Sequence, residues 1–145
     1  MENNFKTTIT VNAPAEHVYN AINNVSKWWH GEVKGSTGKL DDEFTYRWQD
    51  IHYSKQRVIE LVPFEKIVWL VTESSLNFTN DKSEWTGTKL IFEISAAGNN
   101  TTVSLTHQGL VPEVECYDAC SNGWNMLIQQ SLLSFITTGK GKEVF

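Results

Sequence analysis

The chain carries few of the patterns that usually announce chemistry. Nothing in its 145 residues follows Gly-x-Ser-x-Gly, and no phosphate-cradling loop or dinucleotide-binding glycine fingerprint occurs. No apolar run approaches the roughly 18 residues that a membrane helix needs. Lys and Arg number 12 against 17 Asp and Glu, a formal net charge of −5. The basic residues never cluster, so the positive footprint that nucleic acid demands is missing. MENNFKTTIT lacks a charged-then-apolar leader pattern, and the expected location is the cytoplasm. Cysteine is nearly absent too, which fits a reducing compartment. Cys116 and Cys120 are the only two, four positions apart. On a helix their Cβ atoms would stand about 6 Å apart, beyond the disulfide range of roughly 3.5–4.5 Å. His17, His30, His52 and His107 are scattered with no His-x-x-x-His pair, so neither a metal nor another cofactor is expected.

What the chain does have is aromatic weight: 12% of residues, including six Trp. Its 40% hydrophobic and 20% charged fractions are those of an ordinary soluble globular protein. The length suits a single domain spanning residues 1–145. Residues 117–136 read as one long helix with Asp118 its only charge. At about 100° per residue, Tyr117, Cys120, Trp124, Leu127, Ile128, Ser131 and Phe135 form one stripe. That face mixes bulky apolar groups with Ser131, Cys120 and Tyr117, which suits a cavity wall as well as a dry core.

Upstream, Phe5, Thr7, Ile9 and Val11 alternate with polar residues and predict a strand. Pro14 reads as the first helical position, with Asn12 or Ala13 as cap and Val18, Ala21, Ile22 and Val25 as the buried stripe. A brief second turn is expected around Trp28 and Trp29, ended by Gly31, giving two short helices after the first strand. Residues 32–42 read as a polar, Gly-containing loop. Strands are then predicted around Phe44, Tyr46 and Trp48, over 52–61, over 66–72, over 88–95 and over 101–108. A polar excursion covers 73–86 and a hairpin signal lies at 97–100. Short connections imply antiparallel pairing, and the layout is α+β, about six strands with helices on one face.

Four passages together resemble a known family: the run from Ile9 through Pro14 to Ile22, then Trp28-Trp29, then Val58 to Pro63 leading into Lys66-Ile67-Val68-Trp69, and last Val103 to Leu110 with Gly123-Trp124. Their order resembles the START-like (SRPBCC) superfamily, in the branch named for activators of the heat-shock protein 90 ATPase. The resemblance implies the helix-grip fold, a curved antiparallel sheet wrapped around a long C-terminal helix. It also implies a cavity between them for a small hydrophobic or amphipathic molecule.

Inward strand positions and the helix stripe then name the candidate ligand-binding residues: Phe44, Tyr46, Trp48, Trp69, Phe92, His107, Tyr117, Cys120, Trp124, Ile128 and Ser131. Trp28 and Trp29 are candidate gate residues at a cavity mouth. Aromatic walls with a few polar tips are what apolar ligand sites use, although aromatic residues stabilise any core by burial. His107 shares a strand face with Val103 and Leu105 and is the expected polar group of the cavity, either a structural histidine or an acid–base group. Arg47 and Glu60 fit a solvated outer face. The leading expectation is a small-molecule binding or carrier domain. The alternatives are a cofactor-independent enzyme on an apolar or polyketide-like substrate, and a protein-interaction module. Met126 and Leu133, seven apart and off the main stripe, would then offer a patch for a partner or a homodimer.

Overall fold

The computed structural model describes residues 3–144. The sheet strands are β1 (Phe5–Val11), β2 (Glu32–Gly35), β3 (Glu43–Trp48), β4 (His52–Val62), β5 (Lys66–Leu76), β6 (Lys89–Ala97) and β7 (Asn100–Gln108). They form one antiparallel seven-stranded sheet in the order β1-β7-β6-β5-β4-β3-β2. After β1 the chain crosses to the far edge through helix α1 (Ala15–Asn23) and a 3-10 turn (Val25–Lys27), then meanders back until β7 pairs with β1. The α+β class and the helix-grip arrangement expected from the sequence are therefore what the chain adopts. Among the described residues no helix is long and apolar enough to cross a membrane.

One strand was not legible. β2 lies in the stretch read as a loop, because Glu-Val-Lys-Gly offers only one half-buried apolar side chain. It forms by pairing with β3, and Gly35 permits the approach. Gly35 has φ +107°, and a Cβ there would stand 2.9 Å from Cα of Phe44. β5 also continues to Leu76, into the stretch read as a polar excursion, because its last residues pair with the start of β4. The register of that pair shifts at Lys55/Gln56 and Val58/Glu60, and such irregularities add the local twist that bends a sheet. α1 starts at Ala15, one residue later than expected, with Pro14 extended ahead of it and its carbonyl accepting from Val18 N at 3.1 Å.

The inner sheet face is the alternating set predicted: Phe5, Ile9 and Val11, Phe44 and Tyr46, Ile67, Trp69 and Val71, Leu90, Phe92 and Ile94, Val103 and Leu105 are all buried. Against it lies a continuous C-terminal helix in three parts: α2 (Tyr117–Met126), a π-helical stretch (Leu127–Leu132) and α3 (Leu133–Thr138). The π stretch alters the buried face. Cys120, Trp124, Leu127, Ile128 and Ser131 are buried as the 100° stripe requires. Beyond them a wider turn carries more residues, so the stripe slips and Ile136 is buried while Phe135 is half-buried. Gln129 Nε2 donates to Thr7 Oγ1 at 3.0 Å, and His17 Nε2 lies 2.8 Å from the Ile136 carbonyl, fastening the helix to β1 and α1.

Candidate functional site

The hollow between sheet and helix is solid on one side and open on the other. The solid part is a stack of rings. Trp28 lies over Trp69 at 6.4 Å, Trp29 is parallel to Trp69 at 6.2 Å, and Phe44 and Phe92 meet Trp69 edge-on at 5.0 and 4.9 Å. Ile128 is fully buried on the gripped face of the helix.

The open part is a cavity of about 330 Å³ where the β3–β4 turn, the β5–β6 loop and α2 converge. Trp29, with Tyr46 and Trp48 of β3, forms one wall, and Ile51 and His52 follow from the turn. The β5–β6 loop gives Phe78 and Trp85, and the helix gives Ala119, Cys120, Gly123, Trp124, Met126 and Leu127. Ile51 and Phe78 are 37% and 44% exposed, so the rim itself is apolar. Among the described residues no Asp, Glu, Lys or Arg lines the cavity.

The loop that carries Trp85 is held at both ends. The Thr88 hydroxyl donates to the Trp85 carbonyl at 2.6 Å, and Gly87 N donates to the Val71 carbonyl at 2.8 Å. The Glu84 carboxylate accepts from Glu115 N at 2.7 Å and Cys116 N at 3.0 Å. These N–H groups precede α2, where a carboxylate both fills open donors and faces the positive end of the helix. Trp85 thereby packs parallel to Trp124 at 5.7 Å.

Two imidazoles stand at this wall. Trp124 Nε1–H donates to His107 Nδ1 at 3.1 Å, which places the His107 proton on Nε2. That N–H reaches Thr88 Oγ1 at 2.8 Å, so both ring nitrogens are committed. His52 Nε2 meets Ser54 Oγ at 3.1 Å, and Gln56 Nε2 donates to the same hydroxyl at 2.5 Å. Burial pushes both histidines down to about 3, with His52 adding to the effect on His107, so both are neutral at ordinary pH. Two further wall donors are spent on protein acceptors: Trp85 Nε1–H on Cys120 Sγ, itself in the wall, at 3.3 Å, and the Tyr46 hydroxyl on the His30 carbonyl at 2.5 Å. Burial also raises the Tyr46 phenol above its ordinary value. A neutral, apolar chamber of this kind suits binding; it offers no paired acid and base.

Of the residues named from sequence, the structure brings Trp29, Tyr46, Trp48, Cys120 and Trp124 together on the cavity wall. Trp28, Phe44, Trp69, Phe92 and Ile128 are buried away from that wall, and His107 sits behind Trp85 and Trp124. Trp28 and Trp29 are 1% and 2% exposed, inside the ring stack rather than at the rim. Tyr117 is half-buried at the start of α2, outside the lining. Ser131 lies at another end, donating to the Trp28 carbonyl at 2.6 Å and accepting from Lys142 N at 3.0 Å. Met126 lines the cavity and Leu133 packs against the core, so neither forms an exposed patch. Arg47 lies over the Tyr53 ring at 4.8 Å and Glu60 is 3.6 Å from Lys66, both on strand positions facing solvent. Sequence reasoning missed Ile51, His52, Phe78 and Trp85. A lone Trp inside a polar stretch was the available signal for Trp85.

The same architecture occurs in solved structures. An Aha1 dimer from Colwellia psychrerythraea superposes with a TM-score of 0.78 at 23% identity, covering 97% of this chain and 100% of that one. A protein from Staphylococcus saprophyticus gives 0.72 at 13% identity over 98% of this chain and 97% of that one. CalU16 from Micromonospora echinospora gives 0.64 at 16% identity over 92% and 76% of the two chains. These likenesses establish fold, and no curated protein sequence matches. At the level of sequence, the family model for activator of Hsp90 ATPase homolog 1-like proteins matches residues 12–135, and the chain belongs to that family.

Proposed function

We propose that the protein binds, and in doing so carries, a small hydrophobic or amphipathic molecule in the cavity beside α2. The observation that carries this reading is how the wall's polar atoms are spent. The Trp85, Trp124 and Tyr46 donors are each spent on a protein acceptor, so their rings face the space beside aliphatic groups. Such a chamber holds water poorly and gains free energy, about 25 cal/mol per Å² of apolar surface, when a ligand covers it. Its volume, about 330 Å³, falls at the small end of ligand sites. The apolar rim of Ile51 and Phe78 gives such a ligand a way in. Family membership supports a ligand-binding fold in general, and the wall chemistry supports an apolar ligand.

A catalytic use of His107 finds no support in this geometry, since its nitrogens serve Trp124 and Thr88. A homodimer is the second reading, carried by the dimeric Colwellia relative. Light scattering at high concentration checks it, and a monomer mass would reject it. Both cysteines are unpaired, which agrees with a cytoplasmic setting on the same reading. The binding reading is tested by a thermal-shift panel of fatty acids, flat aromatic ketones and hydrophilic controls. Apolar members should raise the melting temperature while hydrophilic ones leave it unchanged; no shift by any apolar member would reject it.

A further inference from the structure

Cys116 and Cys120 stand one helical turn apart, with Cys120 N donating to the Cys116 carbonyl at 2.7 Å. Both are buried and unpaired, and Cys120 lines the cavity. The neighbouring thiols perturb one another, lowering Cys116 and, together with burial, raising Cys120. Cβ atoms about 6 Å apart do not accommodate a disulfide without unwinding the turn. Among the described residues no third His, Cys, Asp or Glu joins them in a metal-holding group, so a tetrahedral ion lacks its ligands. One centre that is complete with two sulfurs is a trivalent one that already bears a carbon substituent, and the aromatic cavity beside Cys120 suits that substituent.

We propose that this pair is a capture site for a trivalent organoarsenical, with both sulfurs bonded to arsenic and the apolar substituent lying in the aromatic cavity. The incoming species is an arsonous acid, in which arsenic carries one carbon group and two hydroxyls. The Cys120 thiol, which the cavity reaches, attacks first; one As–O bond breaks and the hydroxide leaves as water with the thiol proton. Cys116 displaces the second hydroxide in the same way. Two S–H and two As–O bonds are exchanged for two As–S bonds and two waters, and arsenic stays trivalent throughout. Trp85, whose N–H already points at Cys120 Sγ, and Trp124 would border the substituent. That placement rests on the apolar-ligand reading of the cavity; the two As–S bonds do not.

The test uses phenylarsonous acid on the full chain, read by intact mass spectrometry under challenge with excess glutathione or a dithiol. Wild-type protein should hold one equivalent that glutathione leaves in place and the dithiol removes. Cys116→Ser and Cys120→Ser should each lose retention by about a hundredfold or more, because the second bond is no longer intramolecular. A wild-type adduct stripped by glutathione as readily as from either variant would overturn the proposal. The readout on unmutated protein, one thiol against two, keeps the test valid if a variant fails to fold. Competition with the apolar dye N-phenylnaphthylamine separates the two readings. Glutathione-resistant arsenic that leaves dye binding intact would sink the substituent's placement and uphold the dithiol site. Dye binding with no thiol-dependent retention would sink the dithiol site alone.

Discussion

Trp124 Nε1 and His107 Nδ1 lie 3.1 Å apart, and this bond couples the gripped helix to the inner face of the sheet. It also decides what His107 is for. A ring nitrogen that accepts from an indole N–H is a structural acceptor, and its partner nitrogen is spent on Thr88. His107→Ala leaves the Trp124 and Thr88 groups without their partner and should cost about 2–4 kcal/mol in chemical denaturation. A loss under about half a kcal/mol would show that the network contributes little.

The same two imidazoles, His107 fully buried and His52 half-buried at the cavity wall, set a pH dependence. His52 and His107 are held at about 3 in the fold, against roughly 6.5 in an unfolded chain. Between those values the unfolded chain binds protons that the folded one refuses. Stability is therefore complete above about pH 6.5 and declines as pH falls toward 3. A melting-temperature scan from pH 7 to 5, above most carboxylate titration, should already fall, and His107→Gln should flatten the slope. A level wild-type profile over that range would contradict the burial account.

Much of this fold was legible because hydrophobic alternation is strongest where strands bury one face. Phe44 and Tyr46, Trp69, Phe92 and Val103 all occupy the inner face that their spacing predicts. The cavity was legible only in part. Tyr46, Trp48 and Trp124 announce themselves by periodicity, while Trp85 reaches the wall from a loop whose position depends on Glu84 capping α2. No local pattern encodes that pairing across 31 residues of chain. The helix phase failed for a physical reason too, since a π turn breaks the 100° step on which stripe reading depends.

That phase change gives its own prediction. Ile136→Ala should destabilise by about 2–4 kcal/mol, as large-to-small changes in a filled site do. Phe135→Ala, at a half-buried position, should cost clearly less. The reverse order, measured by urea unfolding, would mean that the helix keeps an uninterrupted 100° stripe.

The C-terminal tail folds back over the helix through Ser131, which accepts from Lys142 N at 3.0 Å. Gly141 makes this approach feasible, since a Cβ there would crowd the Lys27 carbonyl and stand 3.2 Å from Trp28 Cα. Gly141→Ala should therefore cost about 1–3 kcal/mol and speed exchange of the Lys142 amide. Wild-type exchange in the variant would show that the tail does not depend on that contact.

The most direct test of the binding reading fills the cavity from its outer edge. Ala119 is exposed on α2 yet lines the space, so Ala119→Trp places a ring there without disturbing the ring stack behind. Titration with N-phenylnaphthylamine, followed by dye emission and Trp quenching, should show saturable binding to the wild-type protein. The variant should keep its melting temperature and bind at least about tenfold more weakly, a difference of roughly 1.4 kcal/mol. Equal dye affinity in the two proteins, or no binding to the wild type, would contradict the account.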